Sequence, residues 1–178
     1  MQEEYLDIVD ENGNLTGEKE LRSVVHAKGL WHRVAAVYFF RFNNNVLELL
    51  VHLRSNYVEQ NPNKWDTRFG GHLETGSTIK ETVLKEIKEE IGIEIDFEKI
   101  FIGKKDSYNG PDNKEIGQFF YYEFNDDLNK LFIDANEIQK VEWKTEDEII
   151  KSIQHNPEIW TNTENGFKKV LQDLKSKI

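Results

Sequence analysis

The sequence contains no cysteine, which removes disulfides, thiolate zinc sites and cysteine nucleophiles together. It has no apolar run long enough to cross a bilayer. Its first twenty residues are acidic and strand-like, without the basic start and apolar stretch of a signal peptide. These absences predict a soluble chain, with the cytoplasm as its expected location and no membrane partner. Basic residues are outnumbered, 23 Lys and Arg against 33 Asp and Glu, for a net charge of -10. Charge of that sign repels a nucleic-acid backbone, so no polymeric nucleic acid is expected as a partner. It repels a small phosphorylated ligand too, unless a basic patch or bound cations reverse it locally. No repeat or low-complexity tract stands out. At 178 residues, 38% hydrophobic and 12% aromatic, the chain is expected to form one domain over 1–178 with a substantial core.

Turn signals and periodicity divide the chain. Asn12-Gly13-Asn14 separates two short strands and predicts an N-terminal hairpin over about residues 4–21. Val34 to Phe42 and Val46 to Leu53, rich in β-branched and aromatic residues and joined by three asparagines, predict a stronger hairpin. Residues 56–66 are expected to form a loop. Thr78-Ile79-Lys80-Glu81 matches a capping box and Gly92 suits a left-handed cap, so a helix is expected over Ile79 to Ile91. Strands are expected at Phe97 to Ile102, Ile116 to Phe124 and Ile138 to Trp143, with Ser107 to Glu115 as a loop. Helices are expected at Glu146 to Gln154 and, at the C-terminus, over about residues 164–177. Hairpins mixed with helical crossovers imply an α/β fold with a mixed sheet.

The helix after Gly70-Gly71 carries the chemistry. Val83, Leu84, Ile87 and Ile91 form its apolar stripe, while Glu86 and Glu90 lie four apart with Glu89 beside them. A solvated acidic face is the commoner meaning of such a pattern. Here Glu89 and Glu90 occupy the last turn, where the helix dipole disfavours each anion by about 0.3 to 1 kcal/mol. Glu86 and Glu90 also repel at i,i+4 spacing. A divalent cation removes both penalties, and carboxylate oxygens suit magnesium or manganese. The same cation would draw a phosphorylated substrate to an acidic protein and polarise its phosphoryl group.

From Gly71 to Ile93 the chain closely resembles the Nudix box, matching it at Gly71, Glu86, Ile87, Glu89, Glu90, Gly92 and Ile93. The resemblance implies an α/β/α sandwich and a hydrolase that cleaves a phosphoanhydride in a nucleoside diphosphate linked to another group. Glu86, Glu89 and Glu90 would then be its principal metal ligands. Two positions depart from the pattern. Ser77 replaces the first Glu of the box, and Lys85 replaces its Arg, keeping the charge but not the planar fork. The flanks resemble, more loosely, the branch containing type I isopentenyl-diphosphate isomerases and their hydrolase relatives. The likeness runs through Val25-His26, Leu30-Trp31-His32-Arg33, Leu53-Arg54-Ser55, Trp65-Asp66, Gly71-His72 and Asn109-Gly110 to Glu115. In those isomerases, residues like His26, His32, His72 and Glu115 bind a metal and an arginine like Arg54 contacts diphosphate. Their chemistry also needs a cysteine within the segment Arg68-Phe69-Gly70-Gly71, which is absent here, so isomerase activity is not expected.

Glu115 is a candidate for metal binding or general base, weighed evenly against an ordinary loop carboxylate. Glu142 is the competing base. For His26, His32 and His72, with no cysteine chemistry to serve, hydrogen-bonding or substrate roles are favoured over metal ligation. Trp31, Trp65 and Phe69 are better suited to packing than to stacking on a base. Arg54 is the candidate phosphate contact, and the Gly70 carbonyl a candidate metal ligand. A Nudix-fold nucleotide sensor or interaction module is the alternative, favoured by Ser77 and Lys85. A homodimer is compatible with the sequence, which does not fix the oligomeric state.

Overall fold

A computed structural model describes residues 4–110 and 113–178. The chain begins with a hairpin of β1 (Tyr5–Val9) and β2 (Leu15–Leu21), followed directly by a short helix, α1 (Arg22–Lys28). The Asn12–Asn14 turn is tied by Asp10, whose carboxylate accepts the backbone N–H of both Asn12 and Asn14. The helix α1 has no side-chain N-cap and ends at left-handed Gly29.

The central sheet is built on β3 (Trp31–Asn43), which pairs antiparallel with β4 (Val46–Arg54) through a turn of Asn44 and Asn45, both at positive φ. Two short strands, β5 (Trp65–Asp66) and β6 (Phe69–His72), lie within and after the segment expected to be loop. The first pairs with β4 and the second with β3. The hairpin of β7 (Phe101–Asn109) and β8 (Lys114–Glu123) then joins β3, with β8 parallel to it. Finally β9 (Ile138–Thr145) pairs antiparallel with β4. One parallel pair among antiparallel ones makes the sheet mixed, as expected.

Three helices complete the sandwich. The helix α2 spans Ile79–Ile91 with the full capping box of Thr78 and Glu81, and stops at left-handed Gly92. On the opposite face lie α3 (Glu146–His155), also opened by a capping box, and α4 (Glu164–Lys175). Alternation along β3 divides the core. Ala35, Val37 and Phe39 pack towards α2 with Val83, Ile87 and Ile91, whereas Tyr38 and Phe40 pack towards α3 and α4 with Ile149, Ile153 and Phe167. This is the α/β/α sandwich. No helix among the described residues is long and apolar enough to cross a membrane.

The strand expected at Phe97 to Ile102 is displaced. Phe97–Lys99 form a 3-10 turn, and strand runs from Phe101 through Asn109, so most of the expected Ser107 to Glu115 loop is strand. The polar run Lys104 to Ser107 lies on an exposed edge strand and therefore has no apolar alternation to reveal it. Glu115 accordingly sits on a strand, not in a loop.

Candidate active site

Gly70 and Gly71 on β6 bring the sheet against α2. Gly70 takes φ +146°, and a Cβ there would meet the Ala35 carbonyl oxygen at 2.2 Å. A Cβ on Gly71 would lie 2.7 Å from the Glu86 carboxylate. Only glycine allows the backbone and the helix carboxylates to approach this closely. Gly70 N–H donates to Glu90 Oε2 at 3.0 Å, so the amide of Gly70 faces the carboxylates, beside the carbonyl that the sequence marked.

The three candidate-ligand glutamates of α2, Glu86, Glu89 and Glu90, differ in environment. Glu90 is buried, Glu86 is partly buried, and Glu89 is 60% exposed. Burial raises the Glu86 carboxyl to about 7, the negative charge of Glu89 adding to the effect and Lys85 opposing it. Burial also raises Glu90 well above the ordinary range, with Glu86 and Glu137 as further negative neighbours. The positive charge of Arg54 partly offsets that effect. Its Nε donates to the Gln60 carbonyl at 3.2 Å. Among the described residues no ion pair reaches Glu86 or Glu90; Lys85 lies on Glu74 and, at 3.9 Å, on Glu89.

The histidines converge from separate elements. His26 comes from α1, His32 from β3 and His72 from the end of β6. One ring nitrogen of each lies within 4.8 Å of the others, and the Nε2 atoms of His26 and His72 are 3.2 Å apart. His32 Nδ1–H donates to the Leu30 carbonyl at 3.0 Å, which leaves its buried Nε2 as a bare lone pair without a hydrogen-bond partner. Burial holds all three imidazoles below the usual histidine value and so favours their neutral forms. Glu115 lies opposite His32 in the β3–β8 register, its Oε1 3.9 Å from His32 Nε2 and 4.0 Å from His72 Nε2. Asn113 fixes the same oxygen with a 2.6 Å hydrogen bond.

The sequence candidates thus gather in two adjoining clusters, with the successive residues Gly71 and His72 facing one each. Glu142 belongs to neither. Lys140 and Lys144 bind its carboxylate and lower its pKa, which disfavours it as a base. Phe69 is buried against Phe39, and Trp65 stacks on Trp160, so both serve packing. The sequence did not single out Arg22 and Glu4. Arg22 pairs with Glu4 at 2.9 Å, keeps a buried Nε without a partner, and exerts its charge on all three histidines. The available signal was Gly29, which suits a left-handed helix end and puts Arg22 one helical turn before His26.

Both clusters suit cations. Buried Glu90 and partly buried Glu86, which no ion pair reaches among the described residues, form an oxygen donor set, and three imidazoles with an orphaned nitrogen and a nearby carboxylate form a nitrogen-rich one.

Comparison with known proteins agrees with this architecture. The NUDIX domain model matches residues 30–164. Nudix hydrolase 3 of Arabidopsis thaliana is 33% identical over 129 residues, which are 71% of this chain but only 16% of the plant protein. An isopentenyl-diphosphate Delta-isomerase of Aliivibrio fischeri is 26% identical over 180 residues, 96% of this chain and 97% of that protein. The crystal structure of DR0079 from Deinococcus radiodurans superposes with a TM-score of 0.63 at 21% identity, covering 85% of this chain and 90% of that one. With its box helix, its glycine approach and its sandwich in place, the chain belongs to the Nudix hydrolase family.

Proposed function

We propose that the protein hydrolyses a phosphoanhydride bond in a nucleoside diphosphate linked to another group, with magnesium or manganese held by Glu86, Glu89 and Glu90. The observation that carries this reading is the pair Glu86 and Glu90, packed under Gly70 and Gly71 with raised pKa values and no ion-pair partner. Such a pair is costly unless a cation joins it. A divalent cation there supplies Lewis acidity and positive charge to a diphosphate. Arg54 brings a guanidinium to the same face for a substrate phosphate, and Arg22 brings another beside the histidines. Gly70 N–H orients Glu90.

Glu115, His26, His32 and His72 are assigned to a second cation, an assignment the bare Nε2 of His32 supports over the hydrogen-bonding roles favoured from sequence. Zinc, iron or manganese suit that donor set. The role of Glu115 as general base becomes the weaker one, because its oxygen is directed at the imidazoles.

Release of phosphate or nucleotide from a panel of nucleoside diphosphates, sugar nucleotides, dinucleotides, coenzyme A and flavin adenine dinucleotide tests the reading, with magnesium and manganese in parallel. Turnover should fall at least about 100-fold in Glu89→Gln and in Glu90→Gln with the fold intact. Near-normal turnover in both variants overturns the metal assignment. Tight nucleotide binding by the wild type with no release from any compound would instead favour a Nudix-fold sensor.

A further inference from the structure

The box departs from its family pattern at Ser77 and Lys85, and the geometry around these residues shows how the chain accommodates the change. Lys85 Nζ is paired with the Glu74 carboxylate, and its next acidic neighbour is Glu89 Oε2 at 3.9 Å. Ser77, Lys85 and Glu74 all line one cavity of about 300 Å³, with His72 and Glu86 among its other walls. A longer acidic side chain at position 77 would enter the space in which Lys85 meets Glu74. Glu74 itself is fixed by backbone contacts at both ends of its turn. It bridges to buried Leu6 on β1, Thr75 N–H donates to the Tyr5 carbonyl at 2.8 Å, and Ser77 N–H donates to the Glu74 carbonyl at 3.0 Å.

We propose that Glu74 supplies, from three residues earlier, the carboxylate missing at Ser77, and so acts as a positioning residue that sets Glu89 for the cation through Lys85. The proposal rests on the cation reading of the α2 carboxylates. Glu89 is the most exposed of the three, on the last turn of a helix that disfavours its charge. Left alone it would sample several rotamers and lose their freedom on binding a cation. An ammonium anchored between Glu89 and a backbone-fixed Glu74 narrows that sampling beforehand. As a mere surface ion pair, Lys85 with Glu74 would contribute little to stability and leave cation affinity unchanged. The two roles therefore separate by measurement.

Calorimetric titration of the full chain with magnesium chloride decides between them, magnesium favouring carboxylate oxygens over the imidazoles. Glu74→Gln should weaken magnesium binding about 3- to 10-fold, at or just below the roughly 10-fold lower end expected for a residue that orients a ligand, because it acts through Lys85. The melting temperature of the metal-free protein should stay close to wild type. Ser77→Glu in the Glu74→Gln background should restore most of the affinity, because its carboxylate opens into the same cavity. Glu98→Gln, which breaks the remote exposed pair with Lys80, should leave affinity unchanged and so controls for net charge. Wild-type affinity in Glu74→Gln, or a double variant no better than the single one, overturns the proposal while the cation reading survives. A wild type that binds no magnesium overturns both. Magnesium binding with the expected losses but no hydrolysis supports the proposal and overturns only the hydrolase reading.

Discussion

At the scale of single residues, Gly70 lies in the segment where the isomerases carry a cysteine, and its backbone decides whether a side chain could stand there in this chain. Its φ of +146° and the 2.2 Å approach of a Cβ to the Ala35 carbonyl exclude any side chain unless β3 and β6 separate. Gly70→Cys should therefore cost at least about 2 kcal/mol of stability, from backbone strain and steric overlap together. The same shift should loosen the Gly70 N–H bond to Glu90 and weaken magnesium binding. No isomerisation should appear. Thermal unfolding of the variant, with nuclear magnetic resonance of isopentenyl diphosphate incubated with it, checks both halves. A Gly70→Cys protein as stable as wild type would mean that the two strands are not packed as described.

At the scale of elements, α2 combines a core stripe with two carboxylates, Glu86 and Glu90, whose ionisation burial disfavours. Glu86 has a folded-state value of about 7 against an ordinary glutamate value of 4.5. Below about pH 4.5 the group is protonated whether the chain is folded or not, and no penalty exists. Between about 4.5 and 7 the unfolded chain ionises first, so the contribution of Glu86 to stability is lost as pH rises, by about 3 kcal/mol in all. The buried histidines act in the opposite direction, because their lowered values favour the folded state as pH rises towards 6.5. The clean quantity is thus the difference between wild type and Glu86→Gln with metal chelated. The variant should be about as stable at pH 4 and more stable at pH 8; a difference that does not change with pH would show that Glu86 ionises freely. The same helix was the most legible part of the sequence, since capping box, apolar stripe and terminal glycine all mark one segment. By contrast, α1 is seven residues long with no side-chain cap at its start, and β7 carries Lys104 to Ser107 along an exposed edge, so neither announces itself by period. The carboxylate cluster was legible because one helix carries it. The histidine cluster was visible only through resemblance, because residues 26, 32, 72 and 115 meet through the pairing of β3 with β6 and β8.

At the scale of the whole molecule, the net charge of -10 sets a problem that the fold addresses at two adjacent places with different donors. The proposed carboxylate ligands all come from α2, whereas the imidazoles come from α1, β3 and β6, with Glu115 of β8 beside them. Since no ligand is shared, occupation of one site should stabilise the protein without requiring the other. Ligand binding to the folded state raises stability by RT ln(1 + [L]/Kd), so at about 100 times Kd each cation adds about 2.7 kcal/mol. Zinc at low concentration and magnesium at millimolar concentration should then raise the melting temperature separately, and nearly additively when both are present. The variants should divide the effect. His26→Asn, at a partly buried ring, should remove the zinc increment and leave the magnesium one. Glu89→Gln should do the reverse. Differential scanning fluorimetry of the three proteins, each with no metal, either metal or both, provides the full comparison. A single increment abolished by either variant would mean that the two clusters bind one shared ion, and the assignment of two centres would fall.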